Sequence, residues 1–293
     1  MTAGVLDGYP PLPEPLPVPV ADNHTHLDIP AALRDAGPGQ RFPSQRDVAA
    51  LLDAAARVGV PRAVQIGCDL ASARWTVQAV EEHPQLLGGV ALHPNEAPRL
   101  AAAGALDDAL AEVEELAAHP RVRVVGETGL DWYRTDRHDG AAREAQLESF
   151  AAHVAIAKRL GKALQIHDRD AHDDVLRVLE EEGAPERTVF HCFSGDAAMA
   201  RYCADRGWYL SFAGTLTFRN AEPLREALRA VGLGRVLVET DAPYLTPVPF
   251  RGRPNAGHLV PHTVRAMAHV LETDLETVCE ALATATTAVY GQW

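Results

Sequence analysis

A closed (β/α)8 barrel is the fold this sequence predicts, and three observations predict it. Short β-branched runs alternate with longer stretches rich in Ala, Leu, Arg and Glu at helical spacing, the pattern of repeated βα units. Eight such runs can be counted. Polar residues of metal-ligating type, His24, His26, Glu127, His167, His191 and Asp241, stand at or just past the C-terminal ends of those runs. An open doubly wound sheet would string them along an edge, whereas a closed barrel gathers them at one mouth.

The elements follow in order. Residues 8–19, GYPPLPEPLPVP, carry proline at nearly every second position, which forbids helix and favours an extended polyproline segment. Residues 1–19 are therefore read as a Pro-rich arm and 20–293 as one barrel domain, a length that α/β barrels routinely fill. Strands are expected over residues 18–22, 63–67, 87–92, 122–126, 163–166, 188–191, 208–212 and 236–239. Helices are expected over 45–57, 71–82, 107–118, 141–159, 171–181, 197–206, 221–230 and 261–271.

Composition narrows the function. A formal charge of −13 repels polyanions, which argues against coating of duplex DNA, yet bound cations would dominate the local field of an acidic pocket. Cys68, Cys192, Cys203 and Cys279 are widely spaced without a C-x-x-C, so neither a disulfide framework nor a cysteine-rich zinc site is indicated. The first basic residue is Arg34 and no long apolar run occurs, so the expectation is a cytoplasmic protein with no membrane partner. Nothing fixes the oligomeric state; a monomer is the default.

In Asp22-Asn23-His24-Thr25-His26 the two imidazoles are two residues apart, and on a strand they share a face and can share an ion. Asp22 has the same parity and is expected to orient a ligand histidine through its other ring nitrogen. VVGETGLD adds Glu127, LQIHDRD adds His167, TVFHCFSG adds His191 and RVLVETDAPY adds Asp241. Four histidines with two carboxylates exceed the three protein ligands of a mononuclear catalytic zinc, so two divalent ions fit better and one carboxylate must bridge. Position on the fourth strand, between the contributions of the first and those of the fifth and sixth, assigns Glu127 as the bridge. A carboxylated lysine is excluded, because Lys158 and Lys162 are the only lysines and neither ends a strand. The ions are expected to be magnesium, manganese or zinc, imidazole ligation suiting zinc, manganese or iron best.

Asp241 is the expected acceptor of the proton from the attacking water. His93, Arg169 and Arg251 or Arg253 are the groups available for a substrate phosphate. Trp132, Tyr133 and Tyr244 can stack on an unpaired base, Trp132 ranking first, which would favour single strands or frayed ends of DNA. His83, His119, His138, His153, His172, His258, His262 and His269 read as surface or capping residues, and strand parity turns Cys192 into the core.

With these segments in order, from DNHTHLD through QIGCD, ALHPNEA, GETGLDW, LQIHDRDA, HCFSGD, LSFAGTLTF and ETDAPYLTP to RGRPN, the sequence resembles the TatD family of metal-dependent nucleases within the amidohydrolase-like barrels. The resemblance covers nearly everything after residue 20. It implies one metal on His24, His26, Glu127 and Asp241, a second on Glu127, His167 and His191, and DNase activity, in several relatives a 3′-to-5′ exonuclease. Asp168, Gly257 and Ala285 depart from the usual pattern without touching an implied ligand. The alternatives are hydrolysis of a small amide, lactone or phosphoester, removal of a D-amino acid from tRNA, and a metal-binding scaffold without turnover.

Overall fold

A computed structural model of the protein describes residues 8–29, 42–136 and 138–293. Eight strands pair in chain order, every neighbour parallel: β1 (Ala21–Thr25), β2 (Arg62–Gly67), β3 (Leu86–Val90), β4 (Val122–Asp131), β5 (Ala163–Arg169), β6 (Thr188–Phe190), β7 (Tyr209–Phe212) and β8 (Val236–Val238). Between and after them lie α1 (Gln45–Ala56), α2 (Leu70–Glu82), α3 (Ala97–Ala102), α4 (Leu106–Ala117), α5 (Gly140–Leu160), α6 (His172–Glu182), α7 (Ala197–Asp205), α8 (Glu222–Val231), α9 (Val260–Val270) and α10 (Leu275–Tyr290). The barrel expectation holds.

β8 is short, and the seam to β1 is completed just beyond it. The Asp241 N–H donates to His24 O at 3.0 Å and the His26 N–H to Ala242 O at 2.7 Å. Polar side chains seal the rest: Asn23 Nδ2 donates to Val238 O at 2.7 Å, and Asp22 accepts from the N–H and hydroxyl of Thr240 at 2.8 and 2.6 Å. Buried backbone groups left over where a ladder stops must find partners, and these side chains supply them.

Helix starts follow sequence signals. Ser44, Asp139, Asp196 and Asp274 cap α1, α5, α7 and α10, and Asp69 with Ser72 forms a capping box on α2. Inside the barrel, Val64, Ile66, Leu87, Val124, Val189 and Leu237 pack with Val289 and Tyr290 of α10. Because Trp293 donates to Gln85 O and Arg187 to Val289 O, both just before strand starts, the end of α10 closes the floor. Burying side chains of this size stabilises the fold by about 1.5–3 kcal/mol each.

Residues 1–7 of the expected arm lie outside the described residues. From residue 8 the arm is tied down: Arg253 donates to Gly8 O and Tyr9 O, Arg265 to Glu14 O, and Leu16 N to Val58 O. The arm continues through residue 20, so β1 begins at Ala21 and His24 lies within the strand. β4 and β5 run on to Asp131 and Arg169, so that Glu127 and His167 are also strand residues. Two helices escaped the sequence pattern. α3 has only six residues, and the run ATATTA of α10 carries three β-branched threonines, which weaken the helical signal. Among the described residues no helix is long and apolar enough to cross a membrane.

Candidate metal centre

The C-terminal mouth brings together all six residues expected there, with Glu127 in the middle. Its Oε2 lies 3.4 Å from His24 Nε2 and 3.7 Å from His26 Nε2. Its Oε1 lies 3.1 Å from His191 Nε2, 3.4 Å from His93 Nε2 and 2.6 Å from His167 Nδ1. Asp241 Oδ1 approaches His26 Nε2 at 3.4 Å and His24 Nε2 at 3.9 Å. One carboxylate thus turns one oxygen to each half of the cluster.

Local chain geometry sets these positions. β4 passes Glu127 and then Gly129, whose φ of +138° suits glycine and whose place a Cβ could not share with the His167 carbonyl. Asp241 takes a left-handed φ of 53°, a conformation Asp tolerates, held by its N–H on His24 O and by the Tyr244 N–H on its own carbonyl at 2.8 Å. Such backbone is what a carboxylate aimed back across a barrel seam requires.

The rings are held from behind. His26 Nδ1 lies 3.1 Å from Ile66 O, His191 Nδ1 3.1 Å from Glu239 Oε1, and His24 Nδ1 2.7 Å from Gln165 Oε1. Glu239 also accepts the Cys192 N–H at 2.8 Å. His167 Nε2 lies 3.4 Å from Asp131 Oδ2.

Charge follows geometry. Burial works against an ionised Glu127, but the positive charge of His191 and His93 and hydrogen bonds from His167 and His191 hold it well below the usual carboxylate range. Burial also opposes protonation of His26 and His191, yet acidic neighbours raise both well above an ordinary imidazole: Cys68, Asp241 and Glu127 for the first, Glu127 and Glu239 for the second. His93 is lowered by burial. The pocket therefore stabilises positive charge.

Divalent ions fit this arrangement. With Nδ1 of His26 facing a carbonyl and that of His191 a carboxylate, both groups that only accept, Nδ1 keeps its hydrogen and each Nε2, on giving up its proton, turns a lone pair inward. His24 Nε2 and His26 Nε2 are only 3.1 Å apart beside two carboxylates, a convergence of acceptors that needs a proton or a cation between them. Among the described residues four groups of donors lie close enough to hold an ion: His24, His26 and Asp241; His24, His191 and Glu239; His26, Cys68 and Glu127; His93, Glu127 and His167.

The profile of the TatD related DNase family matches residues 21–291. The chain belongs to that family. The metal-dependent hydrolase TatD of Mycobacterium tuberculosis is 48% identical over 260 residues, which is 88% of this chain and 93% of the relative. The metal-dependent hydrolase YabD of Bacillus subtilis is 34% identical over 79% of this chain and 88% of its own length. In fold, the TatD homologue YjjV of Escherichia coli superposes with a TM-score of 0.80 at 24% identity, covering 94% of this chain and 98% of that one. Membership makes the chain a metal-dependent hydrolase.

In this TatD-family chain the mouth opens into a cleft of about 840 Å³, lined by His93, Arg169, Tyr244, Arg134, Cys68 and Cys192 besides the cluster residues other than His24. Of the expected substrate groups, His93, Arg169 and Tyr244 face this cleft. Trp132 does not: its indole N–H donates to Asp174 at 2.9 Å, and Arg143 covers its ring at 4.0 Å. Arg251 lies over Phe218 at 4.1 Å, outside the cleft lining, and Arg253 is spent on the arm. Tyr133 stands exposed with Arg169 stacked 3.9 Å from its ring centre.

Other expectations need correction. Asp22 seals the barrel seam instead of orienting a ring, because its oxygens are taken by Thr240 and the His24 N–H; burial raises it to about 7. Cys192 lines the cleft, since β6 ends at Phe190 and a φ of 42° breaks the parity. His153 and His258 are fully buried, not surface or capping residues. Asp168 pairs with His172 at 2.6 Å. Sequence reasoning missed Cys68, Asp131, Gln165 and Glu239 beside the centre. Glu239 and Asp131 carried a signal, each lying an even number of residues from Asp241 or Glu127 on the same run.

Proposed function

We propose that this chain hydrolyses phosphodiester bonds of DNA as a 3′-to-5′ exonuclease, using two divalent ions held on either side of Glu127. The observation that carries the reading is the division of the two Glu127 oxygens between two sets of imidazoles. His24, His26, Glu127 and Asp241 would hold one ion, and Glu127, His167 and His191 the other. When bound, such a pair supplies a water of lowered pKa and neutralises charge on the leaving oxygen.

The protein's own groups do the rest. Burial opposes ionisation of Asp241, but the His26 hydrogen bond and the charges of His191, His26 and His24 keep its carboxylate below the usual range, so at neutral pH it is free to accept the water's proton. Arg169, steadied on Tyr133, and His93 offer donors for phosphate oxygens at the open side. Tyr244, half exposed at the lip, offers a face to an unpaired base, which favours single strands and frayed ends. The four described cysteines are free, in keeping with a reducing, cytoplasmic setting. A monomer and a single barrel domain with its arm remain part of this reading.

End-labelled single-stranded DNA tests it. Metal-stripped protein should be inactive, added manganese or zinc should restore stepwise loss of 3′ nucleotides, His24→Ala should stay inactive, and Asp241→Asn should lose turnover while still retaining some metal. Turnover of small esters or of a D-aminoacylated tRNA with DNA left intact would overturn the substrate; bound metal with no turnover on any of them would make the protein a scaffold.

A further inference from the structure

We infer that Gln165 and Tyr290 are positioning residues that fix which nitrogen of His24 faces the metal centre, so that the barrel floor sets metal affinity. The Gln165 amide is fully buried beneath His24. Its Nε2 donates to Asn23 O at 2.9 Å and to the Tyr290 hydroxyl oxygen at 2.7 Å. A backbone carbonyl only accepts, so the amide NH2 must face Asn23, and the amide oxygen must face His24 Nδ1 at 2.7 Å. That oxygen also only accepts. Nδ1 therefore carries the ring hydrogen, and Nε2 turns a bare lone pair toward Glu127 and Asp241.

The relay is anchored at both ends. Asn23 donates through Nδ2 to Val238 O and accepts the Thr286 hydroxyl at 3.0 Å, so α10 reaches the site through Thr286 as well as through Tyr290. Gly126, directly before Glu127, leaves room for the amide: a Cβ there would lie 2.6 Å from the Gln165 Cβ. An apolar residue at 165 would remove the acceptor that faces His24 Nδ1, the only one among the described residues, and the ring could then carry its hydrogen on the side that should meet the ion. Partners of this kind change metal affinity by about 10–100-fold.

The inference rests on His24 being a ligand, and the experiment separates the two. Zinc affinity is measured by chelator competition in the wild type and in His24→Ala, Gln165→Leu, Gln165→Glu, Tyr290→Phe and Leu282→Ala proteins. Gln165→Leu should weaken zinc by about 10–100-fold. Gln165→Glu, whose carboxylate still accepts from Nδ1, should recover most of that loss, and Tyr290→Phe should cost about fivefold, as for one hydrogen bond. Leu282→Ala, which truncates a buried side chain of α10 outside the apolar cluster that holds Tyr290, should leave affinity unchanged. In the wild type, nitrogen NMR of labelled imidazoles should show the His24 hydrogen on Nδ1 with and without zinc, the signal being assigned by its loss in His24→Ala. Unchanged zinc affinity in His24→Ala would remove the ligand itself. Loss of zinc in His24→Ala with wild-type affinity in Gln165→Leu, or a His24 hydrogen on Nε2, would overturn this inference alone. The NMR arm decides the matter even if Gln165→Leu fails to fold.

Discussion

Around Glu127, the rings of His24, His26 and His191 are sunk into the barrel, whereas those of His93 and His167 open to the cleft. The His24 and His26 side chains are 0% and 6% exposed, and each has a buried acceptor behind Nδ1. Those of His93 and His167 are 18% and 16% exposed, and His167 instead turns Nδ1 to Glu127. The difference teaches a division of labour. A buried, braced set of donors loses little freedom on closing around an ion, and an open set leaves coordination positions that a phosphate can reach.

Removing the shared carboxylate should have the largest effect. Glu127→Ala should lose both ions by elemental analysis and reduce DNA hydrolysis by at least about a thousandfold, in line with losing metal-assisted charge stabilisation; a variant that keeps two ions would erase the distinction between the halves. Next comes the contrast itself. His24→Ala should weaken the tighter ion by about a hundredfold and His167→Ala the weaker ion by about tenfold, since only the first ring is fully braced. Titration calorimetry giving equal losses would show that burial does not rank the sites.

Much of this was legible in the chain. The β-branched runs located eight strands because a parallel barrel buries both faces of each. The six cluster residues were visible because each follows or ends such a run. Most of what supports them was not, because Gln165 and Cys68 acquire their partners only when strands distant in sequence close into a ring. Trp132 was misjudged for a related reason: sequence position put it beside GETGLD, but only the packed structure shows Asp174 and Arg143 holding its ring. His153 looks like an exposed helix residue until α5 is laid against β4 and the loop after β3.

On the open side, Tyr244→Ala should raise KM for single-stranded DNA by about tenfold with little change in kcat, the worth of one stacked base; equal KM values would take Tyr244 out of the substrate path. A smaller effect concerns the loop that carries His93. His153 Nε2 accepts the Leu92 N–H at 3.1 Å while Nδ1 faces Ser149 O at 2.6 Å, and burial pushes this ring from 6.5 down to about 4. The unfolded chain takes up a proton near 6.5 and the folded ring only near 4, so stability is full above that window and falls as the pH drops through it. By pH 4.5 the loss should be roughly 2–3 kcal/mol. Urea unfolding at pH 7 and pH 4.5 should show His153→Gln less acid-sensitive by that amount, and identical pH dependence would assign the acid response elsewhere.

Anomalous diffraction from crystals grown with manganese or zinc addresses the shared carboxylate most directly. Two peaks should flank Glu127, one beside Oε2 with His24, His26 and Asp241 and one beside Oε1 with His167 and His191. A single peak, or a pair that leaves Glu127 uncoordinated, would contradict the account.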